Sequence, residues 1–311
     1  MRLIEKPARF ALPVLMVLAL AGCGKRHSDH IAIAASFPSL STPYFDTMRK
    51  AAEQQASVAG ADVSVLDGQG NSAKQGADLE TAAVDGTQGV ILAANDGKAL
   101  APEVDRLRTA GVQVVAVDRQ IYGTAAPVPY VGADNVAGGR LLATWVIQHF
   151  PQGARVVVIT NEPGTSTQID RSRGVREGLA AGGSKYQIVA EQTANSSRDQ
   201  ALTVVQNLLT SFGPAHRPDA ILCLNDNMAL GAISALKEAD IPVGAIKILG
   251  FDAIPEAIDN IRAGKLAATV DQDAAAQIKA ALATIVAAIK GGHAQSISIA
   301  PRLVTAETLK N

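Results

Sequence analysis

Residues Ala220–Asp252 read AILCLNDNMALGAISALKEADIPVGAIKILGFD. An apolar run over Ala220–Leu224 stops on Asn225-Asp226. A helix-patterned stretch, Met228–Ala239, follows, and a second apolar run, Ile246–Phe251, stops on Asp252. Short apolar runs separated by one amphipathic helix are the pattern of buried parallel strands joined by a crossover. Ligands of open parallel sheets sit in the crevice beyond the carboxyl ends of the strands. Asn225 and Asp252 are therefore expected to face such a crevice.

The same alternation runs outward in both directions. Strands are predicted over Ile31–Ala35, Asp62–Asp67, Gly89–Ala93, Gln113–Val117, Tyr130–Ala133, Arg155–Thr160, Gln187–Thr193 and Leu266–Val270. Helices are predicted over Pro43–Ala59, Ala73–Asp85, Leu100–Ala110, Asn135–Phe150, Thr167–Ala181, Asp199–Phe212, Ile254–Ala263 and Ala274–Lys290. Thr42 reads as the cap of the first helix, with Pro43 at its first position. Repeated βαβ units of this kind give parallel sheets covered by helices on both faces. There are too many for one small sheet, and they suit two similar doubly wound α/β lobes. No Pro/Ser-rich linker separates them.

The 311 residues are 48% hydrophobic, 4% aromatic and 18% charged, with a net charge of −1. Without a Lys/Arg stripe to neutralise phosphates, nucleic-acid binding is disfavoured. Residues 1–23 read as a targeting segment. Arg2, Lys6 and Arg9 precede the apolar Phe10–Ala21, and the segment closes on Leu20-Ala21-Gly22-Cys23. This looks like a bacterial lipoprotein signal, which would leave Cys23 as a lipidated N-terminus; the alternative is an ordinary secretory signal that carries a cysteine. Several acyl chains on one residue anchor far more durably than one. Cys223, the other cysteine, lies within an apolar run and reads as a small buried hydrophobe.

Polar residues gather just past the predicted strands. They are Asp118 and Arg119, Asn225, Asp252, and Asp271-Gln272. Thr42, Tyr44 and Phe45 follow the first strand, and Arg171 sits early in a helix. The set suits a neutral polyhydroxylated ligand. Carboxylates accept hydroxyl protons, guanidinium groups donate in a planar fork, and amides do both. An aromatic face covers the C–H side of a sugar ring, and paired Asp and Arg lower the desolvation cost of a buried pocket. Each residue has a plainer reading. Asp118-Arg119 could be a loop ion pair, Asn225 and Asp252 helix caps, Tyr44 and Phe45 core residues, and Arg171 a solvated helix residue. The case rests on the whole set.

From Ile31 to the end, the chain resembles periplasmic sugar-binding proteins of the ribose-binding type, the solute receptors of ABC importers. The resemblance is carried by PYFDTMRKAAEQQA, AVDRQ, VGADNVAGGR, EPGTSTQIDRSRGVREGL, VVQNLLT, LNDNMALGAISAL, ILGFDAIPE and GKLAATVDQ, in the family's order. It implies the type I periplasmic binding protein fold, two doubly wound parallel-sheet lobes joined by three crossover hinge segments and closing on a ligand between them. The lobes would be residues 30–133 with 273–301, and 134–272 with 302–311. Hinges would lie near Ala133-Asp134, Gln272-Asp273 and Pro301-Arg302.

The implied sugar contacts are Tyr44 and Phe45 on one ring face, Asp118, Arg119, Arg171, Asn225, Asp252 and Gln272. The chain departs from the ribose pattern at three positions. Thr42 stands where an asparagine precedes the Pro-aromatic pair, Ala93 where an asparagine follows the third strand, and Ser196 where an aromatic covers the opposite ring face. Unpaired buried polar groups are costly, so these changes open the ligand to another pentose, a hexose or a polyol.

The resemblance further implies a monosaccharide ligand, an ABC permease in the cytoplasmic membrane as partner, a monomer, and no cofactor, metal or catalytic residue. A receptor for a chemotaxis or sensor-kinase partner fits the same residues. A repressor's effector lobe shares the fold but needs an N-terminal DNA-binding helix pair, where this chain has its leader. An enzyme is disfavoured. His27, His30, His149, His216 and His293 form no catalytic or metal motif, and neither a Walker loop nor a GxGxxG opening the first helix is present.

Overall fold

The computed structural model describes residues 31–310; Cys23 and the rest of the expected targeting segment lie outside them. The first lobe opens with β1 (Ile31–Phe37), α1 (Pro43–Ala56), β2 (Ala61–Asp67), α2 (Ser72–Val84), β3 (Gly89–Leu92), α3 (Ala101–Thr109), β4 (Gln113–Val117) and β5 (Tyr130–Ala133). The second contains α4 (Asn135–His149), β6 (Ala154–Thr160), α5 (Ser166–Ala181), β7 (Tyr186–Thr193), α6 (Arg198–Phe212), β8 (Ala220–Cys223), α7 (Asp226–Glu238), β9 (Lys247–Phe251), α8 (Pro255–Arg262) and β10 (Ala268–Asp271). The chain then returns to the first lobe as α9 (Ala274–Ile289) and β11 (Ile297–Ile299), and ends in the second as β12 (Arg302–Thr305).

Each lobe holds one six-stranded sheet, in the orders β11-β5-β4-β3-β1-β2 and β12-β10-β9-β8-β6-β7. Two doubly wound lobes are thus present, with one amendment to the all-parallel expectation: β12 runs antiparallel to β10. An antiparallel edge strand on an otherwise parallel sheet is common.

Alternation along the strands explains the layering. Ile33, Ala35 and Phe37 face α1 and α9, while Ala34 joins Val90 and Leu92 in a separate core with Leu79, Val104 and Leu107 from α2 and α3. Successive strand residues point to opposite faces, and here both faces are apolar because both are covered. α9 lies against α1, β3, β4 and β5, although it is made after all of the second lobe but its edge strand β12.

In the second lobe α4 and α5 approach closely. A Cβ at Gly139 would strike the carbonyl of Arg171, and one at Gly174 the carbonyl of Val136. A Cβ at Gly138 would strike the ring of Phe251. These glycines let two helix backbones and one aromatic ring meet beneath the position of Arg171.

The three passages between the lobes are tied down by polar groups. Asp134 donates its N–H to the Ile299 carbonyl at 3.0 Å and caps α4 through Ala137 N–H at 2.8 Å. Asp273 has a left-handed backbone (φ 52°) and caps α9 through Ala276 N–H at 2.9 Å. Arg302 forks onto Asp271 Oδ2 with Nε at 3.0 Å and Nη2 at 2.7 Å.

Candidate functional site

A small cavity lies between the lobes, where the carboxyl ends of the two sheets face one another. Thr42, Tyr44, Phe45, Asp118 and Arg119 line it from the first lobe. Asn161, Thr167, Arg171, Ser196, Asn225 and Asp252 line it from the second, and Gln272 from the passage after β10.

On the first-lobe side, Pro43 starts α1 so that Tyr44 and Phe45 fall in its first turn. Both are buried, with ring centroids 5.7 Å apart in an edge-on arrangement. Thr42 is the N-cap by position, but its side chain makes no capping bond, contrary to the expectation, and lines the cavity. Asp118 and Arg119 turn sharply out of β4. Asp118 has φ 60°, and its carbonyl accepts from Tyr130 Oη at 3.0 Å. The Arg119 guanidinium lies 5.4 Å from the Phe45 ring centroid, and its Nη1 reaches the Asn95 carbonyl at 3.2 Å.

On the second-lobe side Arg171 is the most tied-down side chain. Its Nε donates to Asn135 Oδ1 at 2.7 Å and its Nη1 to the Leu224 carbonyl at 2.7 Å. The guanidinium stacks 3.7 Å over Phe251 and stands 3.5 Å from Asp252 Oδ1. Arg171 is therefore a buried structural member of this lobe as well as a wall residue, not a solvated helix residue.

Asn225 takes the cap role and also lines the cavity. Its Oδ1 caps α7 through Met228 N–H at 2.9 Å. Asp252 does not cap α8, whose N-cap is Ile254. Instead its Oδ1 accepts from Gln272 Nε2 at 2.7 Å. Gln277 Nε2 carries this line on, reaching Gln272 Oε1 at 3.3 Å and Tyr44 Oη at 3.1 Å.

Asp118, Ser196 and Asp252 all sit on backbone of positive φ, at 60°, 56° and 114°. Such conformations cost non-glycine residues about 1–3 kcal/mol each and persist where surrounding bonds over-determine them. Asp252 illustrates the over-determination. Its N–H is fixed to the Val270 carbonyl at 2.7 Å, and the buried Asp226 holds the next turn through Ile254 N–H at 3.0 Å.

Two buried carboxylates and two buried guanidinium groups nearly balance, yet burial dominates the acids. It raises Asp118 against the opposing pull of Arg171 and Arg119. It brings Asp252 to about 7, despite Arg171 and the Gln272 hydrogen bond. The Tyr44 hydroxyl is likewise pushed up by burial. Asp118 Oδ1, Arg119 Nε and Asn161 Oδ1 are buried and have no hydrogen-bond partner among the described residues. Native structures rarely leave such atoms unpaired.

Of the predicted contacts, Ala93 alone does not reach the wall. Its side chain packs in the first-lobe core, while its carbonyl takes Gln75 Nε2 at 2.9 Å. Asn161 and Thr167 were not predicted. Asn161 directly follows β6 and obeys the strand-end rule that found its neighbours. Thr167 lies one helical turn before Arg171 and so shares its face.

A family model described as a periplasmic binding protein domain matches residues 33–293. The chain belongs to the periplasmic binding protein family. Within it the protein is of the ribose type, and family membership makes it a binding protein, not an enzyme. It is 34% identical over 246 residues to the ribose import binding protein of Escherichia coli (strain K12), covering 78% of this chain and 79% of that one. A crystal structure of a Caulobacter myo-inositol binding protein bound to myo-inositol is 52% identical, covering 93% and 97% of the two chains with a TM-score of 0.87. A solute binding protein of Actinobacillus succinogenes 130z with bound D-allose is 29% identical, covering 90% and 99% with a TM-score of 0.81. Cys223 is a free, fully buried thiol whose pKa burial raises, an inert core residue as expected.

Proposed function

We propose that this periplasmic binding protein is the receptor of an ABC importer for myo-inositol or a closely related cyclic polyol. The carrying observation is the trio of unpartnered buried atoms, Asp118 Oδ1, Arg119 Nε and Asn161 Oδ1, around a nearly charge-balanced cavity. Two acceptors and one donor, backed by Asn225, Asp252 and Gln272, match the donor-and-acceptor character of hydroxyls. Myo-inositol carries a hydroxyl on every ring carbon, and this wall has Ser196 where ribose binders have an aromatic. The 52% identical Caulobacter protein that binds myo-inositol supports the same choice.

Thr42, Tyr44, Phe45, Asp118, Arg119, Asn161, Thr167, Arg171, Ser196, Asn225, Asp252 and Gln272 are the proposed contacts. The lobes, divided near Ala133-Asp134, Gln272-Asp273 and Pro301-Arg302, close on the ligand by hinge motion. The receptor acts as a monomer in the periplasm, anchored through lipidated Cys23, and delivers its ligand to a permease in the cytoplasmic membrane.

The test is a thermal-shift panel of cyclitols, pentoses, hexoses and linear polyols. Myo-inositol at a hundredfold over its Kd is expected to add about 2.7 kcal/mol of stability. A shift with D-ribose but not with myo-inositol would overturn the ligand, and no shift with any member at millimolar concentration would overturn the receptor reading.

A further inference from the structure

One part of the cavity wall is organised around a single oxygen outside it. Glu162 follows Asn161 past the end of β6 and is partly exposed, with 36% of its side chain open. Its Oε2 accepts from Ser196 Oγ of the second lobe at 2.9 Å and from Arg119 Nη2 of the first lobe at 3.3 Å. Ser196 Oγ in turn accepts from Asn161 Nδ2 at 2.9 Å. The resulting line, Asn161–Ser196–Glu162–Arg119, crosses from lobe to lobe, and both ends carry an unpartnered buried atom, Asn161 Oδ1 and Arg119 Nε. Beside it a second bond joins the lobes, from Gln120 N–H to Ser166 Oγ at 2.9 Å.

Counting donors and acceptors shows what Glu162 does. A hydroxyl has one proton and two lone pairs. Ser196 gives its proton to Glu162 and one lone pair to Asn161, so it can only accept from a ligand. Asn161 spends one amide proton on Ser196 and turns its Oδ1 to the cavity. Arg119 bonds Glu162 through Nη2 and the Asn95 carbonyl through Nη1, while its buried Nε has no partner among the described residues. The wall thus holds two acceptors, Ser196 Oγ and Asn161 Oδ1, and the Arg119 Nε donor in fixed positions. Without the Glu162 carboxylate, the Ser196 hydroxyl is free to rotate and the Arg119 fork loses its charged anchor.

We propose that Glu162 is a positioning residue that sets both ligand choice and the lifetime of the closed complex. It does so by fixing Ser196 and Arg119 in the orientation that meets hydroxyls on neighbouring ring carbons. This rests on the cyclitol reading of the cavity. Because the Arg119 bond exists only while the lobes are together, its loss acts on dissociation more than on association.

The test measures Kd and dissociation rate for myo-inositol and D-ribose on the wild type, Glu162→Ala and Glu162→Gln, with the melting temperature of each unliganded protein. Glu162→Ala is expected to weaken myo-inositol at least about tenfold, the order of one charge-assisted hydrogen bond. Faster dissociation should carry that loss, the unliganded protein should melt as the wild type does, and D-ribose should be affected less. Glu162→Gln keeps an accepting oxygen and should recover part of the loss. Unchanged myo-inositol affinity, equal weakening of both ligands, or a loss matched by a lower melting temperature would overturn the proposal. Should the wild type ignore myo-inositol and bind another member of the panel, the ligand assignment fails; the same comparison with that member still decides the role of Glu162.

Discussion

Asp252→Asn is expected to stabilise the unliganded protein increasingly as pH rises, while weakening its grip on ligand. Burial raises the Asp252 carboxyl from its ordinary 3.8 to about 7. Between these values the native state holds a proton that the unfolded chain has lost, so stability falls as pH rises through that window. The slope is at most about 1.4 kcal/mol per pH unit. From pH 5 to pH 8 the wild type should therefore lose up to about 2.5 kcal/mol through this one group. Asparagine keeps the oxygen that accepts from Gln272 Nε2 and carries no charge, so the variant lacks this loss. Asp118 and Asp226, also raised by burial, remain in both proteins and largely cancel in the difference.

Thermal unfolding of both proteins without ligand, in steps from pH 5 to pH 8, reads the effect directly. The gap in melting temperature should widen in the variant's favour by roughly 5 °C or more. The ligand arm should run the other way. Losing a charged acceptor costs about 1.5–3 kcal/mol, or about ten- to a hundredfold in affinity. A gap that stays constant with pH would refute the burial argument, and undiminished affinity would remove Asp252 from the site.

Other expectations follow from the same geometry. Arg171→Ala should destabilise the fold by about 3–5 kcal/mol in chemical denaturation, because it strands Asn135, the Leu224 carbonyl and Asp252 in a buried setting. A variant as stable as the wild type would show that Arg171 serves the ligand alone. Gly174→Ala should cost about 1–3 kcal/mol by forcing α4 and α5 apart, and should weaken ligand binding through the displaced Arg171; unaltered denaturation would contradict the close packing. Wild-type affinity should fall as pH drops below about 7, where Asp252 takes up a proton and can no longer accept from ligand hydroxyls with both oxygens; calorimetry in buffers of different ionisation enthalpy should show proton release on binding near pH 6. Intact mass of membrane-extracted protein should show acylation beginning at Cys23, and an unmodified N-terminus elsewhere would remove the anchor.

The alternation of apolar runs and amphipathic helices was enough to read the two wound sheets and most of the cavity wall. The reason is geometric. Every parallel strand delivers its following residue to the same edge, so Asp118, Asn225, Asp252 and Gln272 announce themselves by position. Asn161 obeys the same rule and was legible in principle. β11 and β12 were not. Each spans three or four residues at a sheet edge, and β11 is largely exposed, so neither shows the buried apolar run that marked the others. The embedding of Arg171 depends on contacts between distant segments. Residue type alone does not distinguish a cap from a cavity-wall residue when one side chain is both. Ala93 shows the converse: a position picked out by resemblance packs into the core once its side chain is only a methyl group.

The return of the chain after the second lobe has a consequence for the order of assembly. β1 to β5 emerge first, yet the face of β3, β4 and β5 that α9 covers stays bare until residue 289 has been made. The second lobe has all its helices and five of its six strands by then. The first-made half of the protein therefore waits for nearly all of the second before its core is covered, and the last forty residues supply parts to both. Loss of the C-terminal tail from Asp273 onward would not trim one lobe. It would uncover the first and remove an edge strand from each.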